Sequence, residues 1–332
     1  MTTLTPDAAI ARSGASTQPK PAAPATPAAP EPTLHAPFEP WSAEPAQRGG
    51  LVQRRMLAVG GTLAHPLLAT WLGELGAPPD LAALQRALDD AQAGDGIARP
   101  RLQAQTRDLL ADGLHYESRI AERGILATRA GTAHDAFNAL VWLRHPVLKW
   151  AVNARQVADI ARVGARTRTR GQCALTHFDE AGAIVWLSDA ALLTLWDVHD
   201  WHGLFATQAS AWGRSMAVTV FGHALVEHVW HGHDLPVAKA IAVRVPASVL
   251  AAATIGAGAL LPSLPCGEAA LAAAIADGRL LADPQELRPL PLAGIAGWHA
   301  GSAQADFIAA APCFRPLRAG RCYPAAFVLG AG

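Results

Sequence analysis

Apolar positions first become periodic at Leu81, Leu84 and Leu88. Their three- and four-residue spacing predicts an amphipathic helix over 78–92, ended by the break at 94–100. Residues 116–123 predict a further helix, stopped at Gly124. Thr132-Ala133-His134-Asp135 has the spacing of a capping box, so a helix is expected from Ala133 to Arg144. Pro146 suits the first turn of the next helix, expected to run to Val163. The two make a helical hairpin with a very short connection.

Beyond the hairpin the pattern changes. Segments 174–178 and 183–187 flank Asp179-Glu180-Ala181-Gly182, which reads as a β-hairpin with glycine at a positive-φ position. Helical patterns follow over 190–196 and 204–212, a β-rich run over 216–221, a helix over 223–231 and a strand over 240–245. The stretch after Arg288 is rich in Pro and Gly and is expected to wrap irregularly over the core. Residues 1–37 are rich in Pro, Ala, Thr and Ser; they offer too little apolar surface to offset ordering entropy, and predict a disordered tail. The globular part is expected to start near Phe38–Trp41, and no second linker or internal repeat follows. The expected fold is α+β, predominantly α-helical with a small antiparallel β element, as a single globular domain over 38–332.

A chain of 332 residues can bury a sizeable core, and ten Trp against eight Phe and two Tyr make indoles its main large fillers. Charge balances at 27 basic and 27 acidic residues, which removes any global case for nucleic acid or an anionic membrane. Segment 245–267 is uncharged and long enough to span a bilayer. Pro246, Pro262, Pro265, Gly256 and Gly258 interrupt it, so a buried helix and loop are expected instead. The four cysteines form no C-x-x-C pair, and the start lacks the pattern of an export signal. Reduced thiols and a cytoplasmic location are the corresponding expectation.

Several residues together then point to a family. They are Tyr116-Glu117, Ile120, Gly124, Thr128-Arg129, His134-Asp135, Phe137-Asn138, Trp142, Pro146, Lys149 and Asn153. They continue through Ala174-Leu175-Thr176, Phe178-Asp179-Glu180, Gly182, Phe221-Gly222-His223-Ala224 and Glu227, and close with 294–298 and 314–316. Over residues 50 to 318 the chain resembles an uncharacterised bacterial family, domain of unknown function 3025. Ala133, His145 and Gln156 depart from that pattern, standing where a Trp, an apolar residue and a His are typical. The resemblance implies a shared fold and supplies no function.

Nine of the thirteen histidines fall between His134 and His233, so chemistry is sought there. His134 and Asp135 open a helix, as ligands or a base with its orienter, or with Asp135 as the far member of a capping box. Asn138, Trp142 and Asp135 share a helix face, and Asn153 and Gln156 share another, so amides can meet across the hairpin to fix its pairing or to contact substrate. Asp179 and Glu180 suit a cation or a base, or simply turn chemistry. His223 opens a helix after Gly222, with Glu227 one turn on; the positive helix end keeps such an imidazole neutral and able to ligate. His228, His231, His233 and Asp234 form a further local cluster, suited to adventitious metal. Arg166, Arg168 and Arg170 alternate in a polar connector, where they can grip phosphate or stand solvated.

The expectation drawn from these residues is a divalent-metal-assisted hydrolase, with a phosphoester as one substrate class. His134, Asp135, Glu180 and His223 are the catalytic candidates, Asn138, Asn153 and Arg170 the substrate-binding ones, and Asp179, His223 and Glu227 the metal ligands. The alternative is a non-catalytic binding or structural protein whose polar residues are caps and fold-specifying hydrogen bonds.

Overall fold

The computed structural model describes residues 65–72 and 78–330. The expected tail and the start of the globular part near Phe38 lie outside the described residues. Helix α1 (Pro66–Leu72) buries Leu67, Leu68, Trp71 and Leu72. Helix α2 (Leu81–Asp95) is set by Asp80, whose carboxylate accepts the Ala83 N–H, and it ends at Gly96 with φ 70°. That cap places the helix slightly later in the chain than its apolar pattern alone predicts. Strand β1 (Arg101–Ala104) is followed by a short helix α3 (Arg107–Leu110) and by α4 (Tyr116–Arg123), which ends at Gly124 as expected. Strand β2 (Ile125–Thr128) then returns to pair in parallel with β1.

Helices α5 (Ala133–Arg144) and α6 (Pro146–Val163) form the expected hairpin around His145. His145 is buried, and its Nδ1 sits 3.1 Å from Glu268. The capping box at the start of α5 does not form, because Thr132 makes no side-chain cap bond. Asp135 turns instead to Arg129, accepting its backbone N–H and two guanidinium N–H groups. A charge-assisted, forked partner outcompetes a single neutral amide.

The expected β-hairpin around Asp179–Gly182 is also absent. Residues 170–181 form helix α7 (Arg170–Ala181) instead. Thr169 and Gln172 build a capping box with both reciprocal bonds present, and Ala174, Leu175 and Phe178 supply a buried face with helical spacing. Asp179 and Glu180 therefore occupy a last helical turn. Strand β3 (Gly182–Leu187) follows with no connecting loop. Gly182 has φ −74°, so its glycine is required by close approach and not by a left-handed backbone. A Cβ there would fall inside contact distance of the Phe178 carbonyl oxygen.

Helix α8 (Ala190–Asp197) leads into a π turn over Gly203–Thr207 and a 3₁₀ turn over Ala209–Ala211, where one helix was expected. Strand β4 (Met216–Val220), helix α9 (His223–Trp230), strand β5 (Val237–Arg244), and helices α10 (Ala247–Thr254) and α11 (Pro265–Ala276) follow. The chain after residue 288 is more ordered than expected, with β6 (Arg288–Pro291), α12 (Ala305–Ala310) and β7 (Phe327–Val328). The larger sheet has the order β4-β3-β5-β6, with β7 also pairing β5. It is mixed, since β3 runs antiparallel to β4 and parallel to β5. The fold is thus α+β and mainly helical, but its β part is larger than a single antiparallel element. All of β3 and β4 is buried, as expected for continuous apolar runs covered on both faces. Trp142, Trp186 and Trp196 are among the largest fully buried side chains. Segment 245–267 contributes α10, a loop and the first turn of α11; α10 buries only Leu250 and Thr254, so it is largely exposed where a buried helix was expected, and among the described residues no helix is long and apolar enough to cross a membrane.

The corner between α7 and β3 packs directly on the corner between β4 and α9. The Phe221 and Gly222 N–H groups both donate to the Gly182 carbonyl, at 3.0 and 2.8 Å. A Cβ on Gly222 would run into the backbone of Ala181 and Gly182. Since neither backbone can yield, Gly222→Ala should destabilise the protein by about 1–3 kcal/mol or more, read as a lowered urea midpoint. An unchanged midpoint would show that the two corners are not in fixed contact.

Candidate functional site

That backbone contact sets the last turn of α7 beside the first turn of α9, and α5 packs against α9 from the other side. Three side chains converge. His134 Nε2 and His223 Nε2 lie 3.1 Å apart, with the rings edge to face. Glu180 Oε2 is 3.3 Å from His223 Nε2. The available ligand atoms of His134, Glu180 and His223 all lie within 4.8 Å of one another, so this group can hold a metal ion. Two ligands at about 2.0–2.1 Å from one tetrahedral ion stand about 3.3 Å apart, close to both observed separations.

Glu227, one turn after His223, reaches back across to His134. The His134 Nδ1–H donates to its carboxylate at 2.7 Å. This fixes the proton on Nδ1 and leaves the Nε2 lone pair facing His223 and Glu180. The same hydrogen bond, opposed by burial, raises the His134 pKa above its ordinary value. His223 behaves in the opposite way: burial holds its pKa down at about 4, so the ring is neutral at pH 7. The Asp179 charge and a hydrogen bond to its backbone pull the other way without offsetting burial. Burial also raises the Glu180 carboxyl, partly countered by His134. For Glu227, burial pushes upward, but the His134 hydrogen bond and charge outweigh it and the pKa falls.

Beneath this group lies a network of paired charges. Lys149 is buried on α6, and its Nζ donates to Asp179 at 2.6 Å and to Asn138 Oδ1 at 2.9 Å. It also stands over the Trp142 ring, 5.3 Å from its centroid. Asn138 in turn donates to the Tyr116 hydroxyl at 2.9 Å. Burial would raise the Asp179 pKa, but Lys149 with the two histidines brings it below the ordinary carboxylate range. Asn153 donates both to the Glu117 backbone carbonyl and, at 2.6 Å, to its carboxylate. Burial and the nearby Asp179 charge raise the Glu117 pKa.

A cavity of about 520 Å³ opens over these residues. Its walls include His134, Glu180 and His223 at one part, and Glu117, Arg168 and Thr176 elsewhere. Asp135, Asn138 and Asp179 also face it. Such a volume suits a small molecule.

His134, Glu180 and His223 come together. Glu227 joins them, but behind His134 as its hydrogen-bond partner and outside the group of three. Asp179 is displaced from the expected ligand set, because Lys149 neutralises it; Glu180 takes the place. Asp135 forms part of the wall and is held by Arg129. Asn138 has both ends of its amide engaged, and the amides of the hairpin do not meet one another. Asn153 supports Glu117 and is not itself on the cavity wall, while Gln156 reaches Thr176 at 3.4 Å. Arg170 is not on the wall: it points to Asp283, donating at 2.8 Å, because it lies on the opposite side of the first turn of α7. His228 and His233 touch ring to ring, and Asp234 lies near His299, but no second metal-holding group of three forms among the described residues.

Sequence reasoning missed the roles of Tyr116, Glu117 and Lys149, which contributed only to the family pattern. One signal was present: Lys149 interrupts the apolar run Val147-Leu148-Lys149-Trp150, where a charge must find a buried partner. Its partners lie on other elements and could not be named from spacing.

The sequence profile of the family described as "protein of unknown function (DUF3025)" matches residues 103–318, so the chain belongs to that family. No curated protein and no solved structure matches the chain.

Asn138 offers a direct check of the network. Asn138→Leu removes an acceptor from Lys149 and a donor from Tyr116, and should cost about 1–3 kcal/mol in a denaturant melt. A change near zero would mean that water replaces the amide and that the network is not dry.

Proposed function

We propose that the chain is a hydrolase assisted by a divalent metal ion held by His134, Glu180 and His223. The observation that carries this reading is the convergence of two imidazole nitrogens and a carboxylate oxygen within 4.8 Å, at the wall of a small-molecule cavity. Two His and one carboxylate with open positions is a ligand set used by catalytic zinc and non-haem iron sites. Glu227 supports it, since an outer carboxylate on a ligating imidazole orients the ring and raises its basicity.

Bound there, the ion would supply a Lewis acid and lower the pKa of a water in the cavity. The chain's own residues supply the rest. Among the carboxylates on the cavity wall, Asp135 is paired with Arg129 and Asp179 with Lys149, whereas the Glu117 carboxylate is, among the described residues, hydrogen-bonded to the neutral Asn153 amide alone. Its raised pKa suits it to hold a proton for a leaving group and to recover one from the attacking water. A phosphoester fits, because the cavity wall also carries Arg129 and Arg168.

A second reading, a non-catalytic binding or structural protein, is favoured by the completeness of the Arg129–Asp135 and Lys149–Asp179 pairs. Paired charges specify a fold as readily as they serve a reaction.

A metal titration on untagged protein separates the two. Wild type should bind about one zinc or manganese ion per chain, and His223→Gln should lose most of that affinity. Glu227→Gln, which removes only an outer partner, should weaken it by about 10–100-fold. Unchanged affinity in both variants, together with lowered melting temperatures, would remove these residues from a metal site and favour the structural reading.

A further inference from the structure

Of the two arginines on the cavity wall, Arg129 and Arg168, one is matched by a carboxylate and the other is not. Arg129 is paired with Asp135, and the Lys149 ammonium beneath the wall with Asp179. Arg170, two residues after Arg168, is paired with Asp283 outside the cavity. Among the described residues Arg168 has no carboxylate partner; its guanidinium donates to the neutral Thr176 hydroxyl. Its field falls on His115 and His177, whose pKa values burial lowers and Arg168 lowers further. Arg168 is exposed, and the backbone that follows it is fixed. The next residue, Thr169, is the N-cap of α7, exchanges hydrogen bonds with Gln172 at 2.9 Å in each direction, and donates to Asp159 at 2.8 Å.

Helix α7 then acts as a ruler. Gln172, Thr176 and Glu180 recur every four residues on the face that lines the cavity. At 1.5 Å of rise per residue, Thr176 lies about 6 Å along the helix from Glu180.

We propose that Arg168, with Thr176 and Gln172, forms an anion subsite in this cavity, so that the substrate carries a carboxylate or phosphate group roughly one helical turn from the bond that is hydrolysed. The reference to a hydrolysed bond rests on the proposed function; the anion subsite stands independently of it. The planar guanidinium presents the forked donors that both carboxylate and phosphate accept, with the Gln172 amide beside it; the Thr176 hydroxyl, which itself donates to the Gln172 carbonyl, accepts from the guanidinium and orients it. Hydrolysis of such a substrate adds the attacking water's oxygen to the acyl or phosphoryl centre. It breaks the bond to the leaving group, which departs with a proton, and the anionic group held by Arg168 is unchanged.

The test is a calorimetric titration of the full chain with inorganic phosphate and, separately, with acetate, each with and without chelator. Saturable binding of at least one anion is expected to survive chelation, and Arg168→Gln should weaken it by about tenfold, the value of one charge-assisted contact. Arg168→Lys should recover part of the loss. Tighter binding of phosphate assigns a phosphate-bearing substrate, and tighter binding of acetate a carboxylate-bearing one. Absence of saturable binding, binding that disappears with chelation, or binding that Arg168→Gln leaves intact would each overturn the subsite. Because the readout does not need the ion, a failed metal titration and a failed anion titration remain distinguishable.

Discussion

The site depends on one close backbone contact. Gly182 and Gly222 let two chain corners meet without side chains between them, and the Gly182 carbonyl takes both the Phe221 and Gly222 N–H groups. Two of the three converging side chains are hung from that crossing. Glu180 precedes one corner by two residues and His223 follows the other by one, so their separation is fixed by backbone hydrogen bonds and not by side-chain packing. The sheet makes the arrangement stiff, because β3 and β4 are buried and paired in register from Ala183–Val220 to Leu187–Met216. Rigid elements hold functional groups more accurately than loops do.

Around this frame, charge is handled in two ways. Deep polar groups are paired in place, with the Lys149 ammonium against Asp179 and the His145 ring against Glu268. Breaking the Lys149–Asp179 pair would strand a charge in a poorly solvated interior, which is more costly than the pair is stabilising. Closer to the cavity the groups are left in tension. His134 is drawn toward the charged form by Glu227, while burial keeps His223 neutral. Two neighbouring imidazoles with opposed tendencies thus stand beside a carboxylate 3.3 Å from one of them.

Much of the helical framework was legible in the chain because its signals are local. Gly124 stops α4, Pro146 starts α6 and the apolar run ahead of Gly222 is β4, each read from adjacent residues. The α7 segment was misread because Asp179–Gly182 has turn chemistry, and the capping box that decides the matter lies ten residues earlier at Thr169. Gly182 also misled: its glycine answers a neighbour distant in sequence, which no local pattern reveals. The same limit applied to the site. His134, Glu180, His223 and Glu227 were visible as residue types in suggestive places. Their partition into three converging groups and one supporting carboxylate is a matter of tertiary register. Lys149 and Glu117 act through partners on other helices, so only the assembled fold shows what they do.

The central claim is that an ion belongs between His134, Glu180 and His223. An anomalous difference map from crystals of the full chain grown with zinc tests it most directly. The account predicts a peak about 2.0–2.2 Å from both Nε2 atoms and a Glu180 oxygen, with the Glu227 carboxylate still on His134 Nδ1. A peak at His228 and His233 instead, or none at all with the two imidazoles still in mutual contact, would contradict it.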